Sequence, residues 1–144
     1  MEFDTEFVIR QPVEKVFGHF ADIEGRPNWV TPAVEREKLT EGPVGVGTKY
    51  RSVDRLPGRR IEFSQEVTAY VPNELVSEAW TGPLAGRSET RFAPQDGATR
   101  LTLHMEVAPS GMFKVLAPII RGWVQRALQK DLARFEAWVA ASSG

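Results

Sequence analysis

Cysteine is missing altogether from this chain of 144 residues, which excludes disulfides, thiolate nucleophiles and cysteine-ligated zinc. Histidine is almost as scarce: His19 and His104 are the two present, with no His/carboxylate spacing that suits a dedicated metal site. No stretch approaches the ~18 uninterrupted apolar residues of a membrane span, so no stable membrane insertion is expected. The opening MEFDTEFVIR alternates and carries acids, unlike the basic start and apolar run of a secretory signal. Nor is there a surplus of positive charge. The formal net charge is −1, whereas a general nucleic-acid binder needs excess Lys and Arg to displace phosphate counterions. These absences leave a cytoplasmic α+β protein as the expectation, with one domain over residues 1–144. A chain of this length buries roughly 68–70% of its unfolded surface, enough for a core and a cavity together.

What is present is a contrast between the last third and the rest. From Met112 to Ala141 runs one long apolar-striped helical pattern, with Val124, Leu128, Leu132, Phe135 and Val139 on one side. Pro118 lies inside it, so the helix is expected to kink there or to start as a short turn and restart; Gly122 weakens the same region. Ser110 is the expected N-cap. Upstream, Phe3, Thr5, Phe7 and Ile9 alternate with acids as in a half-buried strand. Pro12 sits where a first-turn proline belongs, opening a short amphipathic helix over about residues 12–21. DIEGRPNW reads as a second short helical turn.

Six strands are expected after that, at about 33–40, 45–55, 59–70, 74–82, 86–94 and 98–108. Their connections carry the Gly and Pro that tight turns require, and Asp96-Gly97 is the strongest hairpin signal. Seven strands joined by loops too short for parallel crossovers make an antiparallel sheet. A single long helix cannot fill the concavity of such a twisted sheet, and a pocket between them is the expected result.

Alternation assigns faces. Leu101, Leu103, Met105 and Val107 point one way, and Ile61, Phe63, Gln65 and Val67 share the inner face, as do Ser88, Thr90 and Phe92. Tyr50, Ser52 and Asp54 face inward together if Tyr50 does. Arg51, Arg60, Glu62, Glu66, Arg87 and Glu89 lie outside on a solvated surface of mixed sign.

Several groups invite a chemical reading. Gly42, Gly45 and Gly47 resemble a phosphate loop only superficially, because they lead into a strand where such a site needs a helix N-terminus. His19 and His104 both fall off the apolar faces and are expected at the surface. Asp131 lies between Leu128 and Phe135; buried, it would have a raised pKa suited to proton transfer on a carbonyl substrate. The favoured reading is an edge carboxylate paired with an arginine such as Arg134. Trp29 and Trp80 are expected in core or rim packing, and the facing of Trp80 is unassigned because LVSEAWTG alternates poorly. MFKVLAPIIRGWV, cationic at Lys114 and Arg121, is expected to wall the pocket, the alternative being a lid that touches a membrane.

QPVEKVFGHFAD, the Asp22…Pro27…Trp29 segment, GPVGVGTKY, PNELV and GATRLTLHMEV, followed by the long C-terminal helix, together resemble the START-like, Bet v 1-like (SRPBCC) superfamily. Within it the chain is most similar to the bacterial polyketide cyclase/dehydrase and lipid-transport group. The resemblance implies a helix-grip fold: a seven-stranded antiparallel sheet curved around a long C-terminal helix, with two short helices after the first strand and an elongated apolar cavity. No metal and no cofactor are expected. The partner is then a hydrophobic small molecule (lipid, quinone, sterol-like or polyketide), held by a carrier or sensor. Phe63, Phe92, Leu103, Met105, Phe113, Leu116 and Ile120 are the expected apolar wall. Tyr50, Ser52, Gln65 and Thr90 are the expected polar ligand contacts. Two alternatives stand beside it. One is an aromatic cyclase or dehydratase using Asp131, Asp54 or Tyr50 as its acid or phenol. The other is a protein-binding module using the outer sheet or the Trp123 face. The oligomeric state, monomer or homodimer, is left open.

Overall fold

The computed structural model describes residues 1–142. Its strands are β1 (Glu2–Ile9), β2 (Ala33–Lys38), β3 (Lys49–Leu56), β4 (Arg59–Val71), β5 (Leu75–Trp80), β6 (Leu84–Gln95) and β7 (Ala98–Pro109). Helix α1 (Val13–Ala21) and a 3-10 turn (Ile23–Asn28) join β1 to β2, and α2 (Met112–Val115) and α3 (Ala117–Ala141) follow β7. The sheet order is β1-β7-β6-β5-β4-β3-β2, every pairing antiparallel. This is the helix-grip arrangement, with short helices after the first strand and the long one last.

Local chemistry sets most boundaries. Asp96 and Gly97 both take positive φ (50° and 80°), as a two-residue hairpin requires, and they pair β6 with β7 in register. β3 starts at Lys49, four residues later than alternation suggests. The glycine-rich stretch before it is a loop in which the Gly45 amide donates to Thr48 Oγ1 at 3.0 Å. Pro12 is the N-cap of α1, one position before the first-turn place expected for it. Pro118 takes that first-turn place instead, because the helical pattern breaks at Leu116 and restarts as α3; Gly122 does not interrupt it. Ser110 does not cap α2. Gly111 is the cap residue, and the Ser110 hydroxyl donates to the Pro83 carbonyl at 3.3 Å.

Burial follows the alternation. Leu101, Leu103 and Val107 are buried on the inner face of β7, as are Ile61, Gln65 and Val67 on that of β4. The core is aromatic at one end. Phe17 and Phe20 of α1 stand edge-on to Phe92 at 5.2 and 5.3 Å, and Phe20 meets Phe135 of α3 at 5.9 Å. Such T-shaped pairs are worth about 0.5–1.5 kcal/mol each beyond the area they bury. The outer face is ionic: Arg51 bonds Glu35, Glu37 and Glu62, and Arg100 bonds Glu6. On the same face His104 bonds Asp4, which holds its imidazole pKa up. Glu2, His104 and Glu106 bring ligand-type atoms within 4.8 Å of one another there, but Glu106 is already paired with Arg87.

Candidate functional site

Between the inner sheet face and the first half of α3 lies a cavity of about 230 Å³, open on one side. Its inner end is closed by Phe20, Trp29, Leu103 and Leu132, all buried. Its open end is marked by half-exposed Leu84, Ile120, Trp123 and Val124 and by exposed Thr81. Trp80 borders it as well. Its indole N–H donates to the Leu84 carbonyl at 2.8 Å, and its ring lies against Gly86, where a Cβ would sit 3.0 Å from ring carbon Cζ2.

The apolar wall carries two ion pairs. Arg26, in the 3-10 turn, donates from Nη2 to Glu78 Oε2 at 2.9 Å and from Nη1 to Oε1 at 3.2 Å, with a further bond from Nη2 to the Phe20 carbonyl. Its guanidinium lies 4.6 Å from the centre of the Phe20 ring. Gln65 donates to Glu78 and accepts from the Ser52 hydroxyl, so a buried polar chain runs from β3 across β4 and β5 to the turn. Arg36 donates to Asp54 Oδ1 at 2.7 Å beside the Phe63 ring. Charges taken out of water at such cost persist only when paired and hydrogen-bonded. The pairing is incomplete, however. Arg26 Nε, Arg36 Nε and Trp29 Nε1 are N–H donors without an acceptor on three residues that border the cavity, but the atoms themselves are buried, as are the equally unpartnered Tyr50 Oη and Thr90 Oγ1 away from it.

Asp131 also borders the cavity. Its side chain accepts from the Thr31 amide at 3.0 Å and from the Thr31 hydroxyl. It is buried, 6% exposed, and its partner is Thr31, so the expected edge carboxylate paired with Arg134 is not what forms. Arg134 donates to Thr31 Oγ1 instead, one step removed. Desolvation by burial pushes the Asp131 pKa up, more than the Thr31 hydrogen bonds bring it down.

Of the other residues picked out from the sequence, Asp54, Phe63, Gln65, Leu103, Met105 and Ile120 border the cavity. Tyr50, Ser52, Thr90 and Phe92 do not, because the sheet curls them into packed layers. Tyr50 sits against Ile23 and Val67, and burial pushes its phenol pKa up to about 12. Ser52 is committed to Gln65, while Thr90 and Phe92 are core. Phe113 lies under Arg59 and Leu116 is 38% exposed, so neither borders the cavity. Sequence reasoning missed Arg26, Arg36 and Glu78. The one signal was the poor alternation of LVSEAWTG: Val76, Glu78 and Trp80 share the inward face, and an acid stands where an apolar residue was sought.

The sequence profile of the family described as polyketide cyclase / dehydrase and lipid transport matches residues 1–140. No curated protein sequence matches the chain significantly. Among solved structures, a protein of Thermus thermophilus is similar over 100% of both chains, at 19% identity and a TM-score of 0.82. The Zhui aromatase/cyclase from Streptomyces sp. R1128 is similar over 97% of this chain and 93% of its own, at 16% identity and a TM-score of 0.78. Ara h 8.0201 is similar over 99% of both chains, at 17% identity and a TM-score of 0.74. At these identities the likeness is one of fold.

Proposed function

The chain belongs to the polyketide cyclase/dehydrase and lipid-transport family, a Bet v 1-like, SRPBCC group, and from that premise we propose that it holds a small, largely apolar molecule bearing an acceptor oxygen, as a carrier or sensor. The observation that carries this reading is the set of unsatisfied donors beside an apolar cavity. These N–H groups are covered in the empty protein, so a guest carbonyl or ether oxygen meets that of Arg26, Arg36 or Trp29 only once a side chain shifts, and it then supplies what the protein leaves unpaired. Each such bond is worth about 0.5–1.5 kcal/mol, and the apolar remainder gains roughly 25 cal/mol per Å² buried. The space admits a one- or two-ring compound or a short chain. A complete sterol or diacyl lipid needs the wall formed by α3 to move.

The probes are 1-tetralone and tetralin, equal in size and differing in the ketone. Tetralone is expected to bind three- to tenfold more tightly, read by calorimetry, which is one hydrogen bond converted at about 1.4 kcal/mol per decade. Trp29→Phe keeps an aromatic ring and removes one donor, so it should narrow that gap without weakening tetralin. Equal affinities for the two probes, or no binding of either, would sink the reading.

Asp131 favours a second reading, an aromatase- or dehydratase-type enzyme. A carboxyl with a raised pKa, bordering the cavity, is equipped to protonate a ketone oxygen or to take a proton from the adjacent carbon. Under that reading Asp131→Asn removes turnover of a poly-β-ketone probe while leaving its affinity within about twofold. Under the carrier reading there is no turnover to lose.

A further inference from the structure

Nine large hydrophobic side chains are exposed among the described residues, and four of them fall between positions 112 and 119. Met112 is 71% exposed, Val115 80%, Leu116 38% and Ile119 69%. The others, such as Val8 and Val34, are scattered singly. Helix α2 buries none of its residues, and α3 buries none before Asp131. This corner is therefore an apolar prominence beside the cavity mouth, and the helix that carries Ile119 also supplies the mouth residues Ile120, Trp123 and Val124.

Its charge is one-sided. From Val107 to Lys130 there is no acidic residue, but there are Lys114, Arg121, Arg126 and Lys130, all exposed. The β3–β4 hairpin adds Arg55, Arg59 and Arg60, also exposed, and it meets this corner where the Arg59 guanidinium lies 5.5 Å from the Phe113 ring. None of the seven has an ion-pair partner among the described residues. In a chain with 18 basic and 19 acidic side chains, such segregation is a strong local field. At the helical 100° per residue, Ile119, Arg126 and Lys130 fall within about 40° of one another, so the apolar and cationic groups share a stripe.

We propose that this corner docks onto an anionic lipid surface, with Met112, Val115 and Ile119 entering the headgroup boundary and the seven cations facing lipid phosphates. Apolar side chains at such a boundary, reinforced by basic residues, are the physical recipe for reversible interfacial binding. A second copy of the chain fits poorly, because a two-fold contact would set the same unpaired cations against each other. A rigid protein partner would need a groove for side chains this far exposed, whereas a lipid surface deforms around them. Docked in this way, the cavity mouth opens beside the acyl layer, and an apolar guest crosses without passing through bulk water.

Co-sedimentation of the native chain with vesicles tests the proposal without any cavity ligand. Binding is expected to vesicles of equal parts phosphatidylcholine and phosphatidylglycerol, and to weaken at least tenfold on phosphatidylcholine alone or in high salt. At about fivefold per basic residue, neutralising three of them as Arg59→Gln, Arg60→Gln and Lys114→Gln should weaken it roughly a hundredfold. The triple variant Met112→Ser, Val115→Ser, Ile119→Ser should abolish sedimentation. Its thermal unfolding should be unchanged, since none of the three is buried. Failure of the native chain to bind anionic vesicles at low salt overturns the proposal, as does native-like binding by either variant. A concentration-dependent dimer that the serine variant dissociates, or an acidic protein that binds this corner while vesicles do not, overturns it as well. Tetralone binding is indifferent to all of these outcomes, so the cavity reading and the docking reading fail separately.

Discussion

The two halves of α3 run along the same sheet but do different things there. From Asp131 onward the helix turns Leu132, Phe135 and Val139 into the core, none more than 3% exposed. From Ala117 to Lys130 it buries nothing. The strands opposite do not explain the difference, since β7 presents buried Leu101, Leu103 and Val107 along most of its length. The filler does. Phe17 and Phe20 of α1, with Trp29 after the 3-10 turn, occupy the space under the second half, and no comparable element lies under the first among the described residues. The cavity is thus made by where the short helices stop, and long apolar runs are not needed to produce it.

The most forceful way to break this comparison is a pair of truncations. Phe135→Ala removes a fully buried ring from the filled end and should cost about 3–5 kcal/mol of unfolding free energy in a denaturant titration. Ile120→Ala on the same helix should cost about 1 kcal/mol or less, because its side chain already borders empty space. Equal costs would mean that the first half of α3 is packed after all. Next comes a tight place near the open end. A Cβ at Gly86 would lie 2.2 Å from the Glu106 carbonyl oxygen and press on Trp80. Gly86→Ala should therefore destabilise by about 1–3 kcal/mol and displace the indole, visible as a shift in tryptophan fluorescence.

The smallest effect concerns Asp131, at the boundary between the halves. Burial raises its folded pKa above the ordinary carboxylate value, so the folded state holds this proton more tightly than the unfolded state does. Its contribution to stability is most favourable below the ordinary value and declines as pH rises from there through the raised one. Asp131→Asn should flatten that part of the stability-versus-pH curve. An unchanged slope in the variant would show that Asp131 is as well solvated folded as unfolded.

The fold was largely legible in the sequence because its signals are periodic. Leu101, Leu103, Met105 and Val107 alternate as a strand must, Asp96-Gly97 marks its hairpin, and Pro118 forces the break before α3. The site was legible on its apolar side, at Phe63, Leu103, Met105 and Ile120, and in part on its polar side, at Asp54, Gln65 and Asp131. Arg26, Arg36 and Glu78 escaped because inward charge contradicts the rule that faces are assigned by hydropathy. Glu78 is 2% exposed and Arg26 7%, and each is acceptable inside only because of the other, a partnership that spans 52 residues and leaves no local trace. The setting of Asp131 escaped for a related reason: Thr31, the group that holds it, is 100 residues away.

The paired side chains around the cavity have a consequence for what can enter it. Arg26 and Arg36 are matched one for one by Glu78 and Asp54, which leaves Asp131 as the one carboxyl on the wall without a cation in ion-pair contact among the described residues. A guest that brought a full negative charge would shed its hydration shell with no free cation waiting, a cost far larger than a few hydrogen bonds return. Under the proposed reading the enclosure is expected to sort by ionic state ahead of shape, with anionic relatives of a neutral guest kept outside.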